Sequence, residues 1–88
     1  MASRIKEIVE GLPAQVRQQV EIYRDAYTRT ADNYDDMRLH EETRIRMGGY
    51  ALGFMHAGLL TEFERRAVFC YMTVKVRDEE RLDNEDLI

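Results

Sequence analysis

The sequence predicts an all-α domain, a small bundle of three to four helices centred on a helical hairpin at residues 47–74. Three observations predict it. One proline and five glycines in 88 residues, with 34% of the chain charged, favour helices over a sandwich or barrel. Apolar residues recur at three- and four-residue spacing from Ile5 onward. The most apolar run, Met47 to Met72, contains a helix stop followed at once by a helix start.

Residues 3–11 read as a short first helix. Ser3 can cap it, Ile5, Ile8, Val9 and Leu12 share one face, and Gly11 ends it. Pro13 fits the first turn of the next helix, where its missing N–H is no loss. From there Val16, Val20, Tyr23, Tyr27, Thr30, Tyr34 and Met37 form a heptad-like seam. The tyrosines are expected to pack against the hairpin with their hydroxyls at its solvent edge. An aromatic platform for stacking bases is the alternative, and it needs exposed rings.

Thr28 to Asp36 is poor in strong helix formers. Asp32 or Asn33 could cap a fresh helix from Tyr34 to Ala57, so one long helix and two helices with a break both remain open. A break would leave 28–36 as an acidic exposed corner. In Arg38 to Arg46, Leu39 and Ile45 mark the inner face, and the Glu41–Arg44 and Glu42–Arg46 pairs support a solvated outer one.

In the hairpin, Gly49, Gly53 and Ala57 share a helical face. Glycine within a helix costs about 1 kcal/mol relative to alanine, so two on one face suggest close approach of another backbone. The segment is apolar nearly all round, which marks a buried helix, yet it is too short and too flanked by arginine to span a bilayer. His56-Ala57-Gly58 stops it, with Gly58 in the left-handed position and His56 beside the last carbonyls. Thr61-Glu62-Phe63-Glu64 is a T-x-x-E capping box that opens the next helix. That helix presents Phe63, Ala67, Cys70, Tyr71 and Val74, widened by Val68, Phe69 and Met72, and should run to about Val76. So wide a stripe on a short helix implies more than one neighbour. The expected core is Leu52, Phe54, Leu59, Phe63, Ala67, Tyr71 and Val74, with Tyr23 and Tyr27 packed across it.

The length admits one domain, assigned to residues 1–77, with 78–88 as an acidic, mobile tail. The net charge of −4 belongs to that tail, where six acids accompany one arginine. Elsewhere acids and bases nearly balance, and eleven of the thirteen basic residues are arginine, which favours bidentate ion pairs and interfaces. Acids interleaved with these arginines argue against a nucleic-acid footprint. No secretory leader pattern is visible, and a single cysteine agrees with a reducing, cytoplasmic setting.

Chemistry is weakly signalled. His40, His56 and Cys70 lack metal-site spacing, since Arg44 stands where an H-E-x-x-H motif needs its second histidine. Cys70 lies in an apolar run and reads as a small core residue. Gly48 to Gly53 has neither a G-x-G-x-x-G spacing nor a P-loop lysine. No cofactor and no enzyme activity are expected. A helix-turn-helix has the right outline, but Phe54 precedes the turn where a small residue is wanted. Glu62 and Glu64 also open the candidate recognition helix.

The phrase GGYALGFMHAGLLTEFE resembles a hairpin in small phage- and plasmid-encoded accessory proteins, with the pattern G-Y-x-x-G-x-x-x-A-G-L-[LI]-T-x-x-E over Gly49 to Glu64. The resemblance implies a mobile-element protein, with inhibition of a host-defence complex such as a CRISPR effector as one role. It carries over no functional residue, because the shared positions are structural.

The leading expectation is therefore a non-enzymatic protein-binding module, an inhibitor or adaptor of a larger protein complex. Its contact residues are expected to be Tyr34, Asp35, Asp36, Arg38, Arg44 and Arg46. The first alternative is a nucleic-acid-binding regulator using Arg65 and Arg66. The second is a self-associating structural protein, a homodimer through the Gly49/Gly53/Ala57 face or the tyrosine seam.

Overall fold

The computed structural model describes residues 4–33 and 37–75, with side chains for 4–30 and 41–75. The described residues form four helices: α1 (Arg4–Glu10), α2 (Ala14–Asn33), α3 (Met37–His56) and α4 (Glu62–Met72). No strand occurs among the described residues. Of the two courses open for the middle of the chain, the broken one is found: α2 and α3 are separate helices packed against each other. The Ser3 cap, the tail at 78–88 and residues 34–36 of the expected acidic corner lie outside the described residues, while 28–33 of that corner are the last turns of α2 instead.

Local signals set the helix ends. Pro13 precedes α2, and its carbonyl accepts the Arg17 amide at 3.0 Å. Gly58 adopts φ +78°, the conformation a side chain would strain. Its amide donates to the Met55 carbonyl at 2.9 Å and that of Leu59 to the Phe54 carbonyl at 3.0 Å, so α3 closes in a Schellman motif. At Thr61 the hydroxyl accepts the Glu64 amide at 3.1 Å, and Glu64 Oε1 accepts the Thr61 amide at 2.8 Å. Both halves of the capping box are in place.

α4 ends at Met72 rather than near Val76. The Thr73 hydroxyl donates to the Phe69 carbonyl at 2.8 Å, and the Val74 carbonyl turns instead to Arg24 Nε at 3.1 Å.

α4 is the centre of the bundle and packs on α1, α2 and α3. It buries Ala67, Val68, Tyr71 and Met72, with Phe69 and Cys70 partly covered. Around it gather Ile5, Val9 and Leu12, then Val16, Val20 and Tyr27, then Met47, Ala51 and Leu60. Tyr34 lies outside the described residues, while the Tyr23 and Tyr27 part of the tyrosine seam packs inward as expected, with Tyr27 buried and Tyr23 stacked on Tyr50 of α3 at a centroid separation of 4.1 Å. These two rings face each other, so neither offers a free stacking platform.

The expected core needs correction on α3 and at the hairpin turn. Leu52, Leu59 and Phe63 are 40%, 48% and 40% exposed, and Ile45, assigned to the inner side, is 65% exposed. Gly49 and Gly53 do not meet another backbone, since a Cβ built on either would find nothing within 4 Å. The physical cause is that α3 is flanked by α2 and α4 on one side only. The side they cover is centred on Met47 and Ala51, where Gly48 sits beside the Phe69 ring. The second half of α3, from Met47, is apolar on nearly every side and does not announce which side will face inward.

Candidate interaction face on the outer side of α3

At about 100° of rotation per residue, the side of α3 opposite Met47 and Ala51 is centred on Gly49. Glu42, Ile45, Arg46, Leu52, Gly53 and His56 fall within about 60° of that line. Every one of these residues is exposed. The face thus carries Ile45 and Leu52 beside two side-chain-free positions, Gly49 and Gly53, and is edged by an acid, an arginine and a histidine. Leu59 and Phe63 lie exposed beyond its C-terminal end, with the Arg4 guanidinium 5.2 Å from the Phe63 ring centroid.

Of the residues expected at a partner surface, Arg46 lies on this face. Arg44, although exposed, is rotated toward α4, and its guanidinium sits over the Phe69 ring at 5.8 Å. The two arginines therefore do not form one docking patch. Tyr34, Asp35, Asp36 and the side chain of Arg38 lie outside the described residues.

Arg65 and Arg66, the alternative nucleic-acid contacts, both converge on Glu62. Arg65 Nε donates to Glu62 Oε2 at 3.1 Å, and Arg66 Nε lies 3.5 Å from Oε1. The Arg65 hydrogen bond chiefly holds the Glu62 carboxyl below its ordinary pKa, and Glu62 in turn raises that of Arg65. One acid thus partly neutralises both cations where a phosphate contact would need them free.

A second feature lies where α2 meets α4. Arg24 is 2% exposed, donates from Nε to the Val74 carbonyl, and places its guanidinium 4.2 Å from the centre of the Tyr71 ring. The Tyr71 hydroxyl donates to the Glu21 carboxylate. Burial first, and the bond to Glu21 second, push the Tyr71 phenol up to about 12. It stays protonated at neutral pH and is a structural donor rather than a base.

Sequence reading missed Arg24, yet a signal was present. It falls four residues after Val20 and three before Tyr27, on the buried seam of α2. Beside it, a groove of about 610 Å³ runs between α1 and α2, bounded by Lys6, Val9, Arg17, Glu21, Ile22 and Tyr71. Its charges are of both signs. Histidine, cysteine and serine are absent from its described walls.

Among the described residues no group of three or more histidine, cysteine or acidic side chains is arranged to hold a metal ion. None of their helices is long and apolar enough to cross a membrane. The outer side of α3 therefore stands as the surface whose composition and exposure are least accounted for by the fold. Comparison of the chain with family models, curated proteins and solved structures finds no match in any of the three.

Proposed function

We propose that this chain is a non-enzymatic protein-binding module, an inhibitor or adaptor that docks through the outer side of α3. The observation that carries the reading is the exposure of Ile45 at 65% and Leu52 at 40%, on the solvent side of a helix whose other side already builds the core. Two large aliphatic side chains on one unpartnered strip are the composition of an interface centre, and Glu42, Arg46 and His56 supply its polar rim. Gly49 and Gly53 add to this. Each lowers helix stability by about 1 kcal/mol relative to alanine with no packing gain inside the chain. A flat contact with another protein gives them a purpose.

The resemblance of the hairpin to mobile-element accessory proteins makes a large host-defence complex the first partner to screen. Affinity capture from cell lysate, with and without nuclease, tests the reading. The wild-type chain should retain a protein partner through nuclease treatment, and Ile45→Glu should lose it while keeping the same helical content. Capture that depends on nucleic acid, or that is unchanged in Ile45→Glu, would remove the outer side of α3 as the docking surface.

A further inference from the structure

We propose that the occupant of this face is a second copy of the chain, its α3 antiparallel to the first about a twofold axis at Gly49. The inference rests on the reading of the outer side of α3 as a protein-binding surface, and it assigns that surface to a second copy in place of a larger complex. The argument is one of self-complementarity, because a twofold interface must match its own reverse. With the axis at Gly49, a residue a given number of positions before it meets the residue the same number after it on the other helix. Gly49 then faces Gly49, and the two backbones can approach closely where neither carries a side chain.

Ile45, four positions before the axis, meets Gly53, four positions after it. The most exposed large aliphatic side chain on α3 thus lands on the other gap in the strip, where a Cβ would find nothing within 4 Å. Arg46 meets Leu52, and its methylene stem can cover that side chain while the guanidinium stays in water. Glu42 meets His56, so a carboxylate accepts from an imidazole N–H at each end of the contact. The large-into-small match and the opposite-polarity match occur in the same register. Moving the axis one turn back, to residue 45, would set Ile45 against Ile45, and one turn forward, to residue 53, would set it opposite Thr61, beyond the end of α3.

The polar pair supplies a test that packing within one chain cannot mimic. Residues 42 and 56 of the same helix are about 21 Å apart, so they can meet only between copies. Solution mass is measured by sedimentation for wild type, Gly53→Leu, Glu42→Lys and the double variant Glu42→Lys/His56→Glu, with circular dichroism on each. Wild type should sediment at twice the chain mass at high concentration. Gly53→Leu should be monomeric with undiminished helix content, since the added side chain enters open space in the monomer. Glu42→Lys should weaken association at least tenfold, and the double variant should recover most of it.

A wild-type chain that stays monomeric at every concentration overturns the proposal, as does a dimer insensitive to Gly53→Leu or a double variant that fails to recover. If wild type is monomeric yet captures a different protein in an Ile45-dependent way, the protein-binding reading stands and self-association falls.

Discussion

The two sides of α3 are built from similar residues and do different work. On one side Met47 and Ala51 are 3% and 0% exposed, and Gly48 lies against the Phe69 ring. On the other, Ile45 and Leu52 stand in solvent beside the open positions at Gly49 and Gly53. Hydrophobicity alone does not tell the sides apart. What separates them is the position of α4, which contacts all three other helices and covers α3 from one direction only. The lesson is that a helix whose apolar residues, in its second half, reach nearly every side has, in a domain this small, more apolar surface than its own chain covers. The surplus is available for a partner.

The difference can be broken most sharply by paired truncations. Met47→Ala should destabilise the fold by about 2–5 kcal/mol, the usual range for emptying a buried site. Ile45→Ala, two residues away, should change monomer stability by no more than about 0.5 kcal/mol. Urea melts of the two variants at dilution check this, and similar losses would mean that the inner and outer sides have been misassigned.

The glycines sharpen the comparison with a gain in place of a loss. Gly49→Ala should stabilise the monomer by about 1 kcal/mol, because the methyl group meets no neighbour and the helix gains propensity. A destabilised Gly49→Ala monomer would show a contact on that side.

The smallest effect belongs to the covered polar seam. The Tyr71 phenol should ionise near pH 12, above the ordinary tyrosine range, in an absorbance titration of the phenolates. Its folded-state pKa is raised above the unfolded value of about 10, so the folded state holds its proton longer. The stability this contributes is fully present below about pH 10 and is lost as pH rises toward 12. Tyr71→Phe should remove that late component.

Much of the hairpin was legible because its signals are local. Gly58 and the Thr61–Glu64 box are short patterns whose physics is complete within a few residues, and both form as read. The breadth of the apolar stripe on α4 correctly implied several neighbours. The facing of α3 was not legible, because the choice between Met47 and Ile45 as the inward residue is made by α2 and α4. Arg24 escaped for a related reason. In a helix rich in charge it reads as solvated, and only its spacing from Val20 and Tyr27 places it on the buried seam. The glycines were legible as a shared face, but whether they meet a backbone of this chain or of a second copy was left open, and within the chain they meet none.

The central claim is that α3 holds the fold with one side and a partner with the other. The most direct test is to measure stability and binding together on Ile45→Glu, at dilution for the melt and at high concentration for solution mass and lysate capture. The account predicts an unchanged melting temperature with association lost. A melting temperature that falls as far as that of Met47→Ala, or association that persists, would contradict it.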